Sequence, residues 1–143
     1  MGVVMKKLFI VAVSALALAG CSKYNVAGQF ENGGQPFTGK VIVSMANSGT
    51  ITVSSLDGRL QCTGTSQVTK QPSGYTGIGA QGRAEATCND GRTFKIDFIQ
   101  STDSGGSGQG IDSNGNIVQM YFDKSEGMAR SRLDQQRLNS LIQ

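Results

Sequence analysis

The sequence predicts an all-β protein, an antiparallel β-meander that forms either a small barrel or a sandwich and ends in a short helix. Three observations support this prediction: a hairpin-like repeat, alternating apolar residues after the turns, and a tail of different composition. The repeat consists of a glycine, seven residues and then Asp-Gly or Asn-Gly, and it begins at Gly49, Gly82 and Gly106. We expect closure or a second layer because an open sheet leaves strand edges that invite aggregation.

Each copy of the repeat predicts a strand followed by a tight turn. Asp-Gly and Asn-Gly favour type I′ turns, in which both central residues take positive φ. The pairs are Asp57-Gly58, Asp90-Gly91 and Asn114-Gly115. Alternation of apolar and polar residues indicates half-buried antiparallel strands. The apolar sets that share a face are Val41, Val43 and Met45; Phe94, Ile96 and Phe98; and Val118, Met120 and Phe122.

We expect about seven strands within a β domain that spans residues 26–124. Residues 26–30, "VAGQF", predict an edge strand, and residues 104–110, "SGGSGQG", are typical of a flexible polar connector. The tail, residues 125–143, lacks β-branched alternation and is rich in helix formers. We expect it to pack over an open end of the sheet or to fray, rather than to bind a partner.

The amino terminus has the three parts of a secretory signal. Lys6 and Lys7 precede an apolar run, Leu8–Ala19, which is shorter than the roughly 20 residues of a transmembrane helix. Two small residues, Ala19 and Gly20, then precede Cys21. An ordinary signal peptide with an incidental cysteine is the alternative.

The ending Leu18-Ala19-Gly20-Cys21 resembles the lipobox of bacterial lipoproteins. The resemblance implies a signal peptide at residues 1–20, cleavage before Cys21, a diacylglycerol on its sulfur and a fatty acyl group such as palmitate on its amine. Residues 21–25 would then form a short tether. Ser22, in the position that sorts such proteins in Gram-negative bacteria, implies the outer membrane, with the domain facing the periplasm. Several acyl chains make such an attachment stable.

Composition argues against several classes of function. Removal of residues 1–20 takes away Lys6 and Lys7, so the formal charge falls from +3 to +1, which gives no electrostatic case for nucleic acid. The chain has no histidine, hence no Ser-His or Cys-His pair and poor support for a metal site. We expect no cofactor, because "GIGAQG", residues 77–82, is followed by an Asp-Gly turn and not by the helix of a dinucleotide site. A carboxylate pair for glycoside hydrolysis stays open, since its spacing is spatial, but we expect no enzyme.

The remaining cysteines, Cys62 and Cys88, predict a disulfide in an exported protein. If the loop between their strands is centred on Tyr75, the two residues lie directly opposite each other. Both would then point to the apolar side, with Leu60 and Ala86. A metal pair or a reactive thiol is the alternative.

Two further resemblances concern the mature region. "ATCNDGRTFKIDF", residues 86–98, is similar to a stretch of the periplasmic and membrane-bound inhibitors of c-type lysozyme, which are small disulfide-containing β-barrels, often lipid-anchored. The whole mature region resembles uncharacterised proteobacterial lipoproteins that share Cys-x-Gly, Cys-x-Asp-Gly-Arg and a glycine-rich hairpin. Here these are Cys62–Gly64, Cys88–Arg92 and Gly105–Gly110. This second resemblance implies architecture and location, without an activity.

The sequence therefore predicts a non-enzymatic structural or interaction module of the cell envelope, held at the membrane by lipid and partnered by an envelope protein. The alternative is a periplasmic inhibitor of a cell-wall hydrolase. The candidate contact residues are the turn arginines Arg59 and Arg92 and the loop residue Tyr75, although the arginines could equally be plain solvated turn residues. The oligomeric state stays open.

Overall fold

Eight strands close into one antiparallel barrel in sequence order, and a helix follows them. A computed structural model describes residues 22–30, 35–44, 47–72, 74 and 76–142. The strands are β1 (Ser22–Phe30), β2 (Pro36–Val43), β3 (Ser48–Ser55), β4 (Gln61–Lys70), β5 (Gln81–Cys88), β6 (Thr93–Gln100), β7 (Gly105–Asp112) and β8 (Ile117–Asp123); the helix is α1 (Glu126–Ile142). The predicted meander is confirmed, and its form is the barrel.

The first strand differs from its prediction as an edge strand. β1 pairs with β2 on one side and with β8 on the other, so it closes the barrel. It begins at Ser22, inside the segment 21–25 that we expected to be a tether, and Ser22 already pairs with Val43. Tyr24, Val26 and Phe30 continue one inward face, and Gly28 interrupts the apolar pattern that would have revealed it.

The expected glycine-rich connector is also a strand. β7 pairs with β6 and β8 along its whole length, which raises the number of strands to eight. Glycine has no side chain to show an apolar alternation, so the pattern of β7 is invisible in the sequence. Its backbone is nevertheless paired on both sides, because the N–H and C=O groups of a strand within a sheet need partners.

The three turns are tight, but the prediction of type I′ was wrong. Only their glycines take positive φ: Gly58 at 75°, Gly91 at 90° and Gly115 at 83°. Each glycine amide donates to the carbonyl three residues earlier, so the glycine is the last residue of a β-turn whose two central residues have negative φ, as in type I. The glycine then follows in the left-handed region, as in a hairpin with a G1 bulge. The preceding Asp or Asn therefore needs no positive φ.

The barrel has two different ends. The plugged end carries the three turns, 56–60, 89–92 and 113–116, and its interior is filled by three aromatic rings. The Phe30 ring centroid lies 5.3 Å from that of Phe37 and 5.9 Å from that of Phe94. The mouth end carries Ser22 and the connections that follow β2, β4, β6 and β8.

The helix lies on the outer wall of the barrel and not over an open end. Ala129 and Leu133 are buried against Ala27 of β1 and Tyr121 of β8. The small outward side chain of Ala27 lets the helix approach the sheet closely. The apolar residues near its end are exposed: Leu138, Leu141 and Ile142. Within the described residues, no helix is long and apolar enough to cross a membrane.

Candidate functional site

A cavity of about 120 Å³ opens at the mouth end of the barrel. Its wall is apolar, and polar side chains lie mainly at its rim. Among the described residues, no charged side chain lines it. The main wall residues are Tyr24, Val43, Ser66, Val68, Ala84, Phe98 and Phe122, of which Ser66 is a buried hydroxyl; the rim residues are Ser22 and Gln100.

The cavity exists because β5 turns small residues inward. Ala84 contributes only a methyl group to the wall of the cavity, and the space beside Gly82 is occupied by the Phe98 ring. Phe98, opposite Gly82 on β6, leans over it. The Phe122 ring meets Tyr24 and Phe98 edge to face, with both centroid distances 5.7 Å. An aromatic and aliphatic wall of this kind binds apolar groups.

The mouth lies beside the predicted site of lipid attachment. Cys21 itself lies outside the described residues, as does Tyr75 of the β4–β5 loop. Ser22, for which the sequence predicts a sorting role, is the first residue of β1 and lines the rim. This cavity could not be predicted from the sequence, because its wall residues come from six different strands.

The predicted disulfide is present. Cys62 and Cys88 are bonded, and they are directly paired across β4 and β5. The pairing follows the register expected from a loop centred on Tyr75 until it shifts between Val68 and Lys70. Both cysteines are buried in the core at the plugged end, so the bond staples the end opposite to the mouth.

The two candidate arginines lie at the plugged end, in neighbouring turns. Arg92 is half-buried, with its guanidinium carbon 4.7 Å from the centre of the Phe30 ring and a nitrogen 3.2 Å from Asp90. It therefore helps to cover the aromatic plug through a cation–π contact. Arg59 is exposed, and its backbone carbonyl accepts a hydrogen bond from Asn89 of the next turn. Neither arginine lies near the mouth.

Two buried carboxylates escaped the sequence analysis. Asp112 accepts hydrogen bonds from the backbone of Asn114 and Asn116 and from the Asn116 side chain. Burial opposes its ionisation, but these hydrogen bonds and the nearby charge of Arg92 outweigh it, so the pKa of Asp112 lies below its usual value. Asp123 accepts from Ser125 at the start of the helix and lies 3.6 Å from Arg132.

Residues 5–22 match a family signature described as a prokaryotic membrane lipoprotein lipid attachment site. This segment is therefore similar to the lipid attachment sites of lipoproteins. The match supports a bacterial lipoprotein that is anchored to a membrane by lipid. A comparison with curated proteins gave no significant match.

Solved structures that resemble the chain are designed β-barrels. A de novo designed fluorescence-activating barrel aligns with a TM-score of 0.53 and 17% identity over 73% of this chain and 92% of its own. A redesigned barrel aligns with a TM-score of 0.55 and 14% identity over 73% and 90%. Another, mFAP1 bound to DFHBI, gives 0.53 and 12% over 71% and 92%. At such low identity the likeness concerns the fold alone.

Proposed function

We propose that this lipoprotein is a non-catalytic interaction module of the outer membrane. The mouth end of its barrel lies against the periplasmic face of that membrane. One observation carries the proposal: β1 begins at Ser22, directly after the predicted lipid-bearing Cys21. Consecutive Cα atoms are about 3.8 Å apart, so no free linker separates the lipid from the barrel. The mouth end therefore stays at the membrane surface.

This placement turns the plugged end toward the periplasm. The turns that carry Arg59 and Arg92 lie there, with the disulfide that links β4 to β5. A partner protein of the envelope would meet this end first. The partner surface then consists of exposed turns on a rigid, disulfide-closed scaffold, the usual arrangement for recognition.

The charged side chains of the outer wall support a non-catalytic role. Asp97 pairs with Arg83 at 2.9 Å, and Glu85 lies 3.8 Å from Lys95. All four are exposed and matched across β5 and β6 with a cation opposite a carboxylate. Cross-strand ion pairs of this kind stabilise a sheet modestly and keep it soluble.

Metabolic labelling with an alkyne fatty acid tests the anchor. Wild-type protein made in a Gram-negative host should carry the label and fractionate with the outer membrane. Cys21→Ser should remain unlabelled and uncleaved, while Ser22→Asp should keep the label and move to the inner membrane. Equal labelling of wild type and Cys21→Ser would contradict the proposal.

Inhibition of a cell-wall hydrolase is the second candidate. The hairpin with the resemblance to lysozyme inhibitors, residues 86–98, presents its turn at the plugged end, away from the anchor. A periplasmic enzyme could reach it there. Turbidity assays with lysozymes on cell-wall suspensions test this candidate, and absence of inhibition at micromolar protein rules it out.

A further inference from the structure

We infer that the mouth is a binding site for part of one fatty acyl chain, and that this chain belongs to the lipid on Cys21. The inference rests on the proposed anchoring. It adds a function for the cavity, which anchoring alone does not require. The part of the ligand that enters is neutral and apolar, because no charged side chain among the described residues lines the mouth.

The size and chemistry of the cavity suit a short stretch of hydrocarbon. Its volume, about 120 Å³, is slightly below that of the roughly 150 Å³ engineered apolar cavity that stays dry and takes up benzene. A whole acyl chain cannot enter, since Phe30, Phe37 and Phe94 close the far end of the barrel. The remainder of the chain would stay in the bilayer.

The rim matches the point where a chain would leave the protein. Ser22 and Gln100 supply polar groups around an otherwise apolar opening. An acyl chain that is linked to Cys21 through an amide or ester presents polar atoms only at its attachment point, close to Ser22. Hydrocarbon would then lie against the wall and the polar linkage against the rim, so the linkage keeps polar neighbours.

The covalent attachment to Cys21 determines which acyl chain enters the mouth. Ser22 is fixed in the barrel by its pairing with Val43 at the rim, so Cys21 cannot move far from the opening. A ligand tethered through a short link has an effective concentration in the millimolar range. Moving a few methylenes from the bilayer into the mouth exchanges one apolar environment for another, so the cost is small. The anchor lipid therefore has an advantage over free lipids.

The first experiment measures whether the site exists. All eight strands lie within residues 22–123, so secreted Ser22–Gln143 contains the complete barrel without lipid. We expect it to bind cis-parinaric acid with one-to-one stoichiometry, seen as a rise in probe fluorescence. Each methylene of the probe that the cavity withdraws from water should lower its dissociation constant about fourfold.

Two neighbouring residues of β2 provide a matched pair of variants. Val43→Phe places a ring in the mouth and should weaken probe binding at least about tenfold. Ile42→Phe makes a comparable change on the outer wall, where Ile42 is 44% exposed, and should bind as wild type does. Circular dichroism verifies that both keep the barrel, and Ala80→Leu, at the mouth, replaces Val43→Phe if that variant unfolds. Absence of binding, or equal binding by the mouth variant, would overturn the site.

The second experiment identifies the occupant. Full-length protein is labelled in cells with a diazirine fatty acid, illuminated and digested. Cross-links from the Cys21 lipid to peptides with Val68, Phe98 or Phe122 are expected. Label at Cys21 that cross-links only to membrane lipids would overturn the anchor as occupant and leave the anchoring intact, whereas absence of label at Cys21 would overturn both.

Discussion

Gly82 and Phe98 face each other across β5 and β6, and the Phe98 ring occupies the space that a Cβ atom on residue 82 would need. Gly28 and Phe37 form a second pair of the same kind on β1 and β2. In both pairs an aromatic ring covers a glycine that points into the barrel. Glycines at such positions allow strands to bend sharply, and the ring restores the lost packing.

Gly82→Ala should therefore destabilise the barrel. The new methyl group would overlap the Phe98 ring and the Gln67 carbonyl oxygen. We expect the free energy of unfolding to fall by about 1–3 kcal/mol, measured by urea denaturation. Gly127→Ala makes the same change in the helix, where the new methyl group would lie 4.0 Å from Ser125 Oγ, and should be neutral or slightly stabilising. Equal effects of the two variants would contradict this interpretation.

Removal of the disulfide should leave the fold but lower its stability. Cys62 and Cys88 are separated by 26 residues, and their bond restricts the unfolded chain. The double variant Cys62→Ala, Cys88→Ala should lose about 2–4 kcal/mol of unfolding free energy, again by urea denaturation. Reduced wild-type protein should show a similar loss. Free thiols in protein isolated from the periplasm, found by mass spectrometry, would count against the bond.

The free energy of unfolding should fall in acid, partly because the Asp112 carboxylate becomes protonated. Because its pKa is lowered in the folded protein, its charge stabilises the fold above the unfolded value near 3.8. That contribution is lost as the pH falls through the lower, folded value. Asp112→Asn should therefore cost more stability at pH 7 than at about pH 3. Asn116→Ala, which removes one donor to Asp112, should act in the same direction but more weakly. Parallel pH profiles for wild type and Asp112→Asn would disprove the assignment.

The helix should depend on one of its leucines far more than on another. Leu133 is 3% exposed against the outer wall, whereas Leu138 is 55% exposed. Leu133→Ala should lower the unfolding free energy by about 2–3 kcal/mol and loosen the helix, visible as faster amide exchange in residues 126–142. Leu138→Ala should change it by less than about 0.5 kcal/mol. A large loss of stability in Leu138→Ala would contradict the exposure of this side chain.

The features that sequence analysis predicted correctly are local. Alternating apolar residues and Asp-Gly or Asn-Gly turns fix neighbouring hairpins, and a simple count around Tyr75 placed Cys62 opposite Cys88. These patterns depend on residues close together in the chain. They therefore do not depend on how distant parts of the chain are arranged.

The features that were missed depend on distant contacts or on glycine. The closing pair of β1 and β8 joins the two ends of the chain, and the glycines of β7 carry no side-chain pattern. The tail was expected to be helical, but its place depends on Ala27, an outward residue of a strand far away in sequence. The mouth was missed for the same reason, since many strands share its wall.

The closing pair also sets an order of events during export. Under the proposed export the chain emerges amino end first, so β1 would reach the periplasm long before β8, its partner from Asn25 to Phe30. Until residues 118–123 arrive, one side of β1 has no partner, and unpaired strand edges recruit other chains. A chain truncated before Ile117 lacks β8 and the helix, and the lack of β8 also affects the strands that would pair with it. It keeps exposed edges on β1 and β7 and is expected to aggregate at the membrane surface instead of folding.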